Sequence, residues 1–260
     1  MKMQTVTSGT GPAVVLVGGG LTGWQSWIPI AERLAPTRTV IRAQPLSVQL
    51  GLENKPLPDG FSIEMESKAL AKALDDTPAD IVAWSYGSLV ALDYALDRPQ
   101  RIRTLTLIEP PAFWLLSATN RMDERSREES RAMRELYLSM TGDVTPEQLA
   151  EFCQRAGFVP AGTKPEEMPQ WPHWLQHRRS LRTGTAAWDH VGSLARLEAF
   201  PHKVLLVKGL TSSHFLHAIT NALAATLPNV EVLELPGGHA MHLEATDAFL
   251  ARLNAFHASV

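Results

Sequence analysis

A chain of 260 residues with 45% apolar and 20% charged side chains has the balance of a compact globular protein, long enough for one large core with an insertion and too apolar to be disordered. Its net charge of −3 includes no long block of one sign, and the densest charge run, residues 121–134, mixes both signs as an exposed helix face does, so nucleic acid is not an expected partner. The lone Cys153 excludes an intramolecular disulfide and reads as buried filler, while the absence of a signal-peptide core of ~7–15 apolar residues or a span of ~18 leads us to expect a cytoplasmic protein with no membrane partner, monomeric or homodimeric.

Along the chain, Ala13–Val17 is a continuous β-branched run ending in glycines, which predicts a strand covered on both faces. Apolar residues at helical spacing predict a helix over 24–34, stopped by Pro36. A short strand over 39–41 precedes a proline- and glycine-punctuated stretch, 45–60, expected to be loop. Ser62 is a natural N-cap for a helix whose inner face is Ile63, Glu66, Leu70, Ala73 and Leu74. Strand 81–83, helix 88–96 and strand 102–108 continue the alternation, with Pro99 at the break.

That βαβα order predicts an α/β fold with a mostly parallel central sheet flanked by helices. The pattern lapses between Pro111 and Phe200, where only helical pieces at 126–140, 146–157 and 188–197 can be read. It resumes with strand 204–208, helix 215–227, strand 230–235 and helix 245–257. We therefore expect a core made of residues 1–110 and 200–260, with residues 111–199 inserted as a helical cap.

Three stretches carry chemistry. In Asp80-Ile81-Val82-Ala83-Trp84-Ser85-Tyr86-Gly87-Ser88 a strand runs through a serine into a helix, and the small residues Ala83 and Gly87 leave room for a sharp turn that lifts Ser85 to its apex. A serine hydroxyl needs a general base to act as a nucleophile, and His239, in the loop between the last strand and the last helix, lies at the same sheet edge. His242 is the weaker candidate, and the remaining histidines read as surface or cap residues. Gly18, Gly20 and Gly23 spell G-x-G-x-x-G, which admits two uses. A dinucleotide site asks for an acid closing the next strand, where this chain has Arg42 and Gln44. The alternative is a loop whose backbone N–H, best supplied by Gly20, faces a developing oxyanion.

The glycine loop after an early strand, Ala83-Trp84-Ser85-Tyr86-Gly87, a cap, and Gly237-Gly238-His239 together resemble the α/β-hydrolase family over nearly the whole chain. The resemblance implies Ser85 as nucleophile, His239 as base, and the N–H groups of Tyr86 and Gly20 as oxyanion hole. The chain departs from the family pattern at Gly18, where many members carry histidine, and at Ala83, where the elbow has its first glycine. It departs again after the penultimate strand, where Lys208-Gly209-Leu210-Thr211-Ser212-Ser213-His214 holds no carboxylate. Glu109, closing the strand after the elbow helix, is the candidate acid, a position that several haloalkane dehalogenases of the same superfamily use. Those enzymes have an aspartate nucleophile, so Ser85 argues against their activity. Glu244 and Asp189 are fallback acids.

The cap region holds Trp171, Trp174 and Trp188, with Phe113 and Trp114 where it begins. Large aromatics build the core of a small cap, and they also suit an apolar acyl substrate; Phe113, Trp114, Trp174, Trp188 and the elbow residue Trp84 are the candidate substrate contacts. The expected activity is a serine hydrolase acting on a small uncharged carboxylic ester or related acyl compound. Other Ser-His chemistry, namely C–C bond hydrolysis, lactone opening or lyase chemistry, is the alternative on the same fold. A catalytically silent binding protein and an NADP-binding oxidoreductase are the rivals from other classes. No cofactor or metal is expected, since no His/Asp/Glu/Cys group has ligand spacing in the sequence.

Overall fold

The computed structural model describes residues 1–140, 142–160 and 162–259; Thr141 and Ala161 of the expected cap and Val260 of the expected core lie outside them. The first half of the chain runs β1 (Thr5–Ser8), β2 (Ala13–Val17), a 3-10 turn into α1 (Ile28–Leu34), β3 (Thr39–Ala43), α2 (Leu46–Leu52), α3 (Ile63–Ala73), β4 (Ala79–Trp84), α4 (Tyr86–Asp97) and β5 (Ile102–Ile108). Helices α5 (Phe113–Ala118), α6 (Glu124–Ser139), α7 (Pro146–Arg155), α8 (Trp171–His177), α9 (Ala186–Asp189) and α10 (Leu194–Glu198) follow without a strand among the described residues. The chain then returns through β6 (Lys203–Gly209), α11 (His214–Thr226), β7 (Val230–Leu235), α12 (Met241–Glu244) and α13 (Thr246–Ala258). No helix among the described residues is long and apolar enough to cross a membrane.

The seven strands form one sheet in the order β1-β3-β2-β4-β5-β6-β7, with β1 antiparallel to β3 and every other pair parallel. Each parallel pair needs a crossover, and the helices that make those crossovers cover both faces of the sheet, so β4 is buried at every position. The loops after the carboxyl ends of β2, β4, β5 and β7 therefore meet at one sheet edge, where open α/β sheets bind their ligands.

At the opposite end of β4, buried Asp80 is held by Arg38 and Arg103 and accepts from Thr104 Oγ1 at 2.8 Å. These partners hold its carboxyl below the usual range in spite of burial. His257 on α13 packs beside it, buried rather than on the surface as expected. Burial brings its pKa down to about 4.

Three expectations about elements need correction. The stretch expected to be loop contains α2, although Pro45 precedes it and Gly51 lies inside it. What propensity withholds, a tertiary cap supplies: the buried carboxylate of Glu66 on α3 accepts from Leu46 N–H at 2.7 Å and Ser47 N–H at 3.0 Å. The single helix expected over 188–197 is two short ones, because the chain is extended at His190 and Gly192 lies so close to the Trp114 indole that a Cβ there would sit 2.3 Å from it. β1, α5 and α8 were not foreseen; β1 is four residues of mostly polar sequence, below what an alternation pattern can resolve. Ser62 does cap α3, accepting from Met65 N–H at 3.3 Å.

Candidate active site

The turn between β4 and α4 gives Ser85 the backbone angles φ 54° and ψ −124°, a conformation that costs a non-glycine residue roughly 1–3 kcal/mol. The turn is pinned from both sides. Ser85 N–H donates to Ile108 O at 2.8 Å, and Ser88 Oγ donates to Ala83 O at 2.6 Å while accepting from Ile108 N–H at 3.1 Å. Gly87 is required because a Cβ there would fall 2.2 Å from Gly18 O, so helix α4 starts directly against the end of β2. Ser88 was not singled out from the sequence; its only signal there is a serine on the apolar face of a helix.

Directly after β5 comes Glu109, also at positive φ (45°) and fully buried. One carboxylate oxygen accepts from Gly209 N–H at 2.8 Å, and the other lies 2.6 Å from His239 Nδ1. The first contact uses the backbone at the end of β6, the very loop that lacks an acid of its own. An ionised carboxylate only accepts, so Nδ1 carries the proton and Nε2 keeps its lone pair. The loop after β7 is fixed through its backbone, with His239 N–H donating to Gly157 O at 2.8 Å and His239 O accepting from Trp84 Nε1 at 2.9 Å. Ser85 and His239 line the same cavity. The fallback acids are elsewhere: Glu244 and Asp189 are exposed, and Asp189 is taken up by Thr185 Oγ1.

Tyr86 opens α4, so its N–H has no partner in the helix ladder, and the residue lines the same cavity as Ser85. Gly20 is its neighbour, since a Cβ at Gly20 would come within 3.1 Å of Tyr86 Cβ. The loop that presents Gly20 closes on itself by Gly23 N–H donating to Gly19 O at 3.0 Å. Gln44, standing where a dinucleotide site would want its acid, accepts instead from Trp24 N–H at 2.8 Å and so ties the loop to β3. Gly20, Tyr86, Ser85 and His239 thus line one cavity, with the Glu109 carboxylate paired to His239 behind it.

The cavity at Ser85 holds about 60 Å³ and is lined by apolar and aromatic side chains, with no Lys, Arg, Asp or Glu among the described lining residues. Phe113 stacks on Trp188 at 4.7 Å and on Phe215 at 5.5 Å, and Tyr137 meets Trp188 edge-on. Burial raises the Tyr137 phenol well above its ordinary range, so it stays neutral. Of the expected substrate contacts, Trp84, Phe113 and Trp188 line this cavity and two do not. Trp114 turns away to pack on Gly192, and Trp174 lines a separate outer cleft next to Phe158. The expected tryptophan cluster is thus divided, because Phe158 stands between its members. Phe158, Tyr137 and Phe215 were not anticipated, and nothing in their spacing marks them.

His242 is fully buried between Trp27 and Trp84, ring centroids 5.0 and 4.7 Å away, and neither ring nitrogen has a hydrogen-bond partner. Burial and the neighbouring His239 push its pKa well below the usual value, leaving it neutral. Burial pushes the Cys153 thiol up to about 12, as suits filler. One His/carboxylate group, Glu64, Asp93 and His190, comes together from distant parts of the sequence. His190 Nδ1 lies 2.9 Å from Glu64 and Nε2 3.6 Å from Asp93, so the ring bridges two core helices and latches the insertion to them, away from the cavity.

Comparison with known proteins gives a match to the model of the alpha/beta hydrolase family over residues 14–252. Among curated proteins, the chain is 34% identical over 112 residues to the pimeloyl-[acyl-carrier protein] methyl ester esterase of Methylococcus capsulatus, an alignment spanning 42% of this chain and only 41% of that protein. It is 24% identical over 213 residues to the 2-hydroxymuconate semialdehyde hydrolase of a Pseudomonas species, spanning 78% of this chain and 71% of that protein. Among solved structures, a hydrolase from Pseudomonas aeruginosa superposes with a TM-score of 0.77 at 18% identity, covering 98% of this chain and 93% of the other, a likeness of fold.

Proposed function

Since this chain belongs to the alpha/beta hydrolase family, whose members compared above are named as an esterase and as a hydrolase of a muconate semialdehyde, we propose that it is a serine hydrolase acting on a small uncharged carboxylic ester through an acyl-enzyme. The observation that carries this reading is the buried Glu109–His239 pair at 2.6 Å, with His239 and Ser85 lining one largely apolar cavity. His239 Nε2 takes the Ser85 hydroxyl proton as Oγ bonds to the substrate carbonyl carbon, and the oxyanion is held by the N–H groups of Gly20 and Tyr86. The tetrahedral intermediate collapses as the carbon–oxygen bond to the leaving group breaks and the imidazolium returns its proton to the departing alkoxide. Water repeats the sequence on the acyl-enzyme and frees the acid. Glu109 orients the ring throughout and stabilises its cationic form.

C–C bond hydrolysis is the second reading, favoured by the relative that aligns over most of the chain. A muconate-type substrate carries a carboxylate, and an unpaired charge inside an apolar cavity is costly. The cavity lining described above offers that carboxylate no cation, which supports the neutral ester. A panel of p-nitrophenyl esters, read beside a dienoate ring-fission product and with fluorophosphonate labelling of Ser85, tests the proposal. Turnover of the esters with labelling confined to Ser85 is expected; turnover of the dienoate alone would replace it with the second reading.

A further inference from the structure

The cavity at Ser85 and the outer cleft share two wall residues, Trp84 and Phe158. The two spaces are very unequal, about 60 Å³ inside against about 500 Å³ outside. The outer cleft is lined by apolar Pro29, Met168, Trp174 and Leu243 together with polar side chains such as Thr22, Gln25 and Gln170. Of the two dividing side chains, Trp84 is fastened by its indole N–H to His239 O at 2.9 Å. Phe158 is held by ring contacts alone, to Trp84 at 5.6 Å, Phe152 at 5.7 Å, Trp174 at 5.8 Å and His239 at 5.1 Å.

The backbone behind Phe158 is held. Phe158 N–H donates to Cys153 O at 2.9 Å, and the preceding Gly157 sits at φ 75° with its carbonyl accepting from His239 N–H at 2.8 Å. The segment therefore stays in register with His239, while the benzyl group is kept in place by packing alone and can leave the partition only by a change of rotamer.

We propose that Phe158 is a gate and that the outer cleft behind it is the subsite for the leaving-group arm of the substrate, an apolar alkoxy chain. The inference rests on the serine-hydrolase reading. In that chemistry the base that accepted the serine proton hands it to the leaving group, so the leaving group must stand beside His239 Nε2. Phe158 packs edge-on against that same ring, and the cleft beyond is lined by Ala240 and Leu243, which follow His239 in the chain. The aromatic wall of Phe113, Trp188 and Phe215 on the far side is left to the acyl group. With the gate shut, the inner cavity has room for a small leaving group only; with it open, each further methylene reaches apolar surface.

The test compares n-alkyl acetates from methyl to octyl, which lengthen the alkoxy arm, with p-nitrophenyl esters of rising acyl length, in the parent, Phe158→Ala, Phe158→Leu and Phe158→Trp. Removing the gate should raise kcat/KM for long alkyl acetates by up to about fourfold per added methylene, the factor that follows from burying one CH₂. Phe158→Trp should shift preference toward methyl and ethyl. The order of preference along the acyl series should stay as in the parent. Phe158→Leu keeps the test valid should the alanine variant fail to fold. An alkoxy-length profile that does not move, or an acyl-length profile that moves in its place, overturns the gate. Fluorophosphonate labelling of Ser85 in each variant separates this failure from that of the underlying reading, which would show as no labelling in the parent itself.

Discussion

Replacing Glu109 by glutamine keeps the side-chain shape and removes the charge from a pair with almost no contact with water, Glu109 being 0% and His239 2% exposed. In the parent, Oε2 accepts from Nδ1 at 2.6 Å while Oε1 accepts from Gly209 N–H at 2.8 Å. A glutamine that keeps its oxygen on Gly209 must turn its NH₂ toward His239. That NH₂ is satisfied only if Nδ1 accepts, which moves the ring proton to Nε2 and leaves no lone pair for Ser85. Even with the tautomer corrected, the imidazolium formed during acylation loses its counter-charge. At roughly 4 Å between charge centres and an effective dielectric constant of ~20, that is about 4 kcal/mol, or ~10³ in rate. Adding the tautomer penalty gives an expected loss of ~10³–10⁴ in kcat, with KM little changed. Stopped-flow release of p-nitrophenol from p-nitrophenyl acetate reads the acylation step directly, and circular dichroism checks the fold. Activity within ~10-fold of the parent in a folded Glu109→Gln protein would refute Glu109 as the acid. The loop after β6 offers a complementary gain of function: Ser212 lies beside Gly209, so Ser212→Asp in the Glu109→Gln background should recover part of the lost rate.

Ser85→Ala should abolish both turnover and labelling with the fold intact. Ser85→Gly should do the same while raising stability by about 1 kcal/mol, because relief of the strain at φ 54° outweighs glycine's extra chain entropy; thermal melts showing no gain would count against stored strain at the elbow. His239→Ala should match Ser85→Ala in severity. His242→Leu, by contrast, should keep ester turnover and hold or raise the melting temperature, since it removes two unpaired buried nitrogens at nearly constant volume. A loss as deep as that of His239→Ala would reassign the base. Burial raises the Glu66 carboxyl from 4.5 to about 7 against the two backbone donors that favour its charge, so the folded state holds this proton more tightly than the unfolded one. Its contribution is fully present below pH ~4.5 and is lost as pH rises toward ~7, a change on the order of 3 kcal/mol. Urea midpoints measured across that range should fall less steeply with pH in Glu66→Gln than in the parent, and parallel slopes would contradict the shift.

What the sequence determined by itself was whatever is written in short-range pattern. Apolar β-branched runs, helical spacing and a small-x-Ser-x-Gly turn are local, so six of the seven strands, β2 to β7, and the turn at Ser85 could be read from neighbours alone. Glu109 and His239 could be singled out because each lies in the loop that follows a strand, and parallel strands must deliver their carboxyl ends to one edge. The tertiary structure decided everything that depends on pairs far apart in the chain. Propensity argued against a helix after Pro45, and Glu66, reaching over from α3, capped one. The GxGxxG glycines suited two uses until packing put Gly18 against Gly87 and set Gln44 on the loop. The aromatics of the insertion looked alike in sequence, since composition does not say which way an indole points. Only folding against the sheet sent Trp188 into the cavity, Trp114 against Gly192 and Trp174 to the far side of Phe158. Local conformation is set by residues in contact along the chain, whereas the partner of a buried carboxylate or an aromatic face is chosen by the energy of filling and satisfying one shared interior, which no single segment contains.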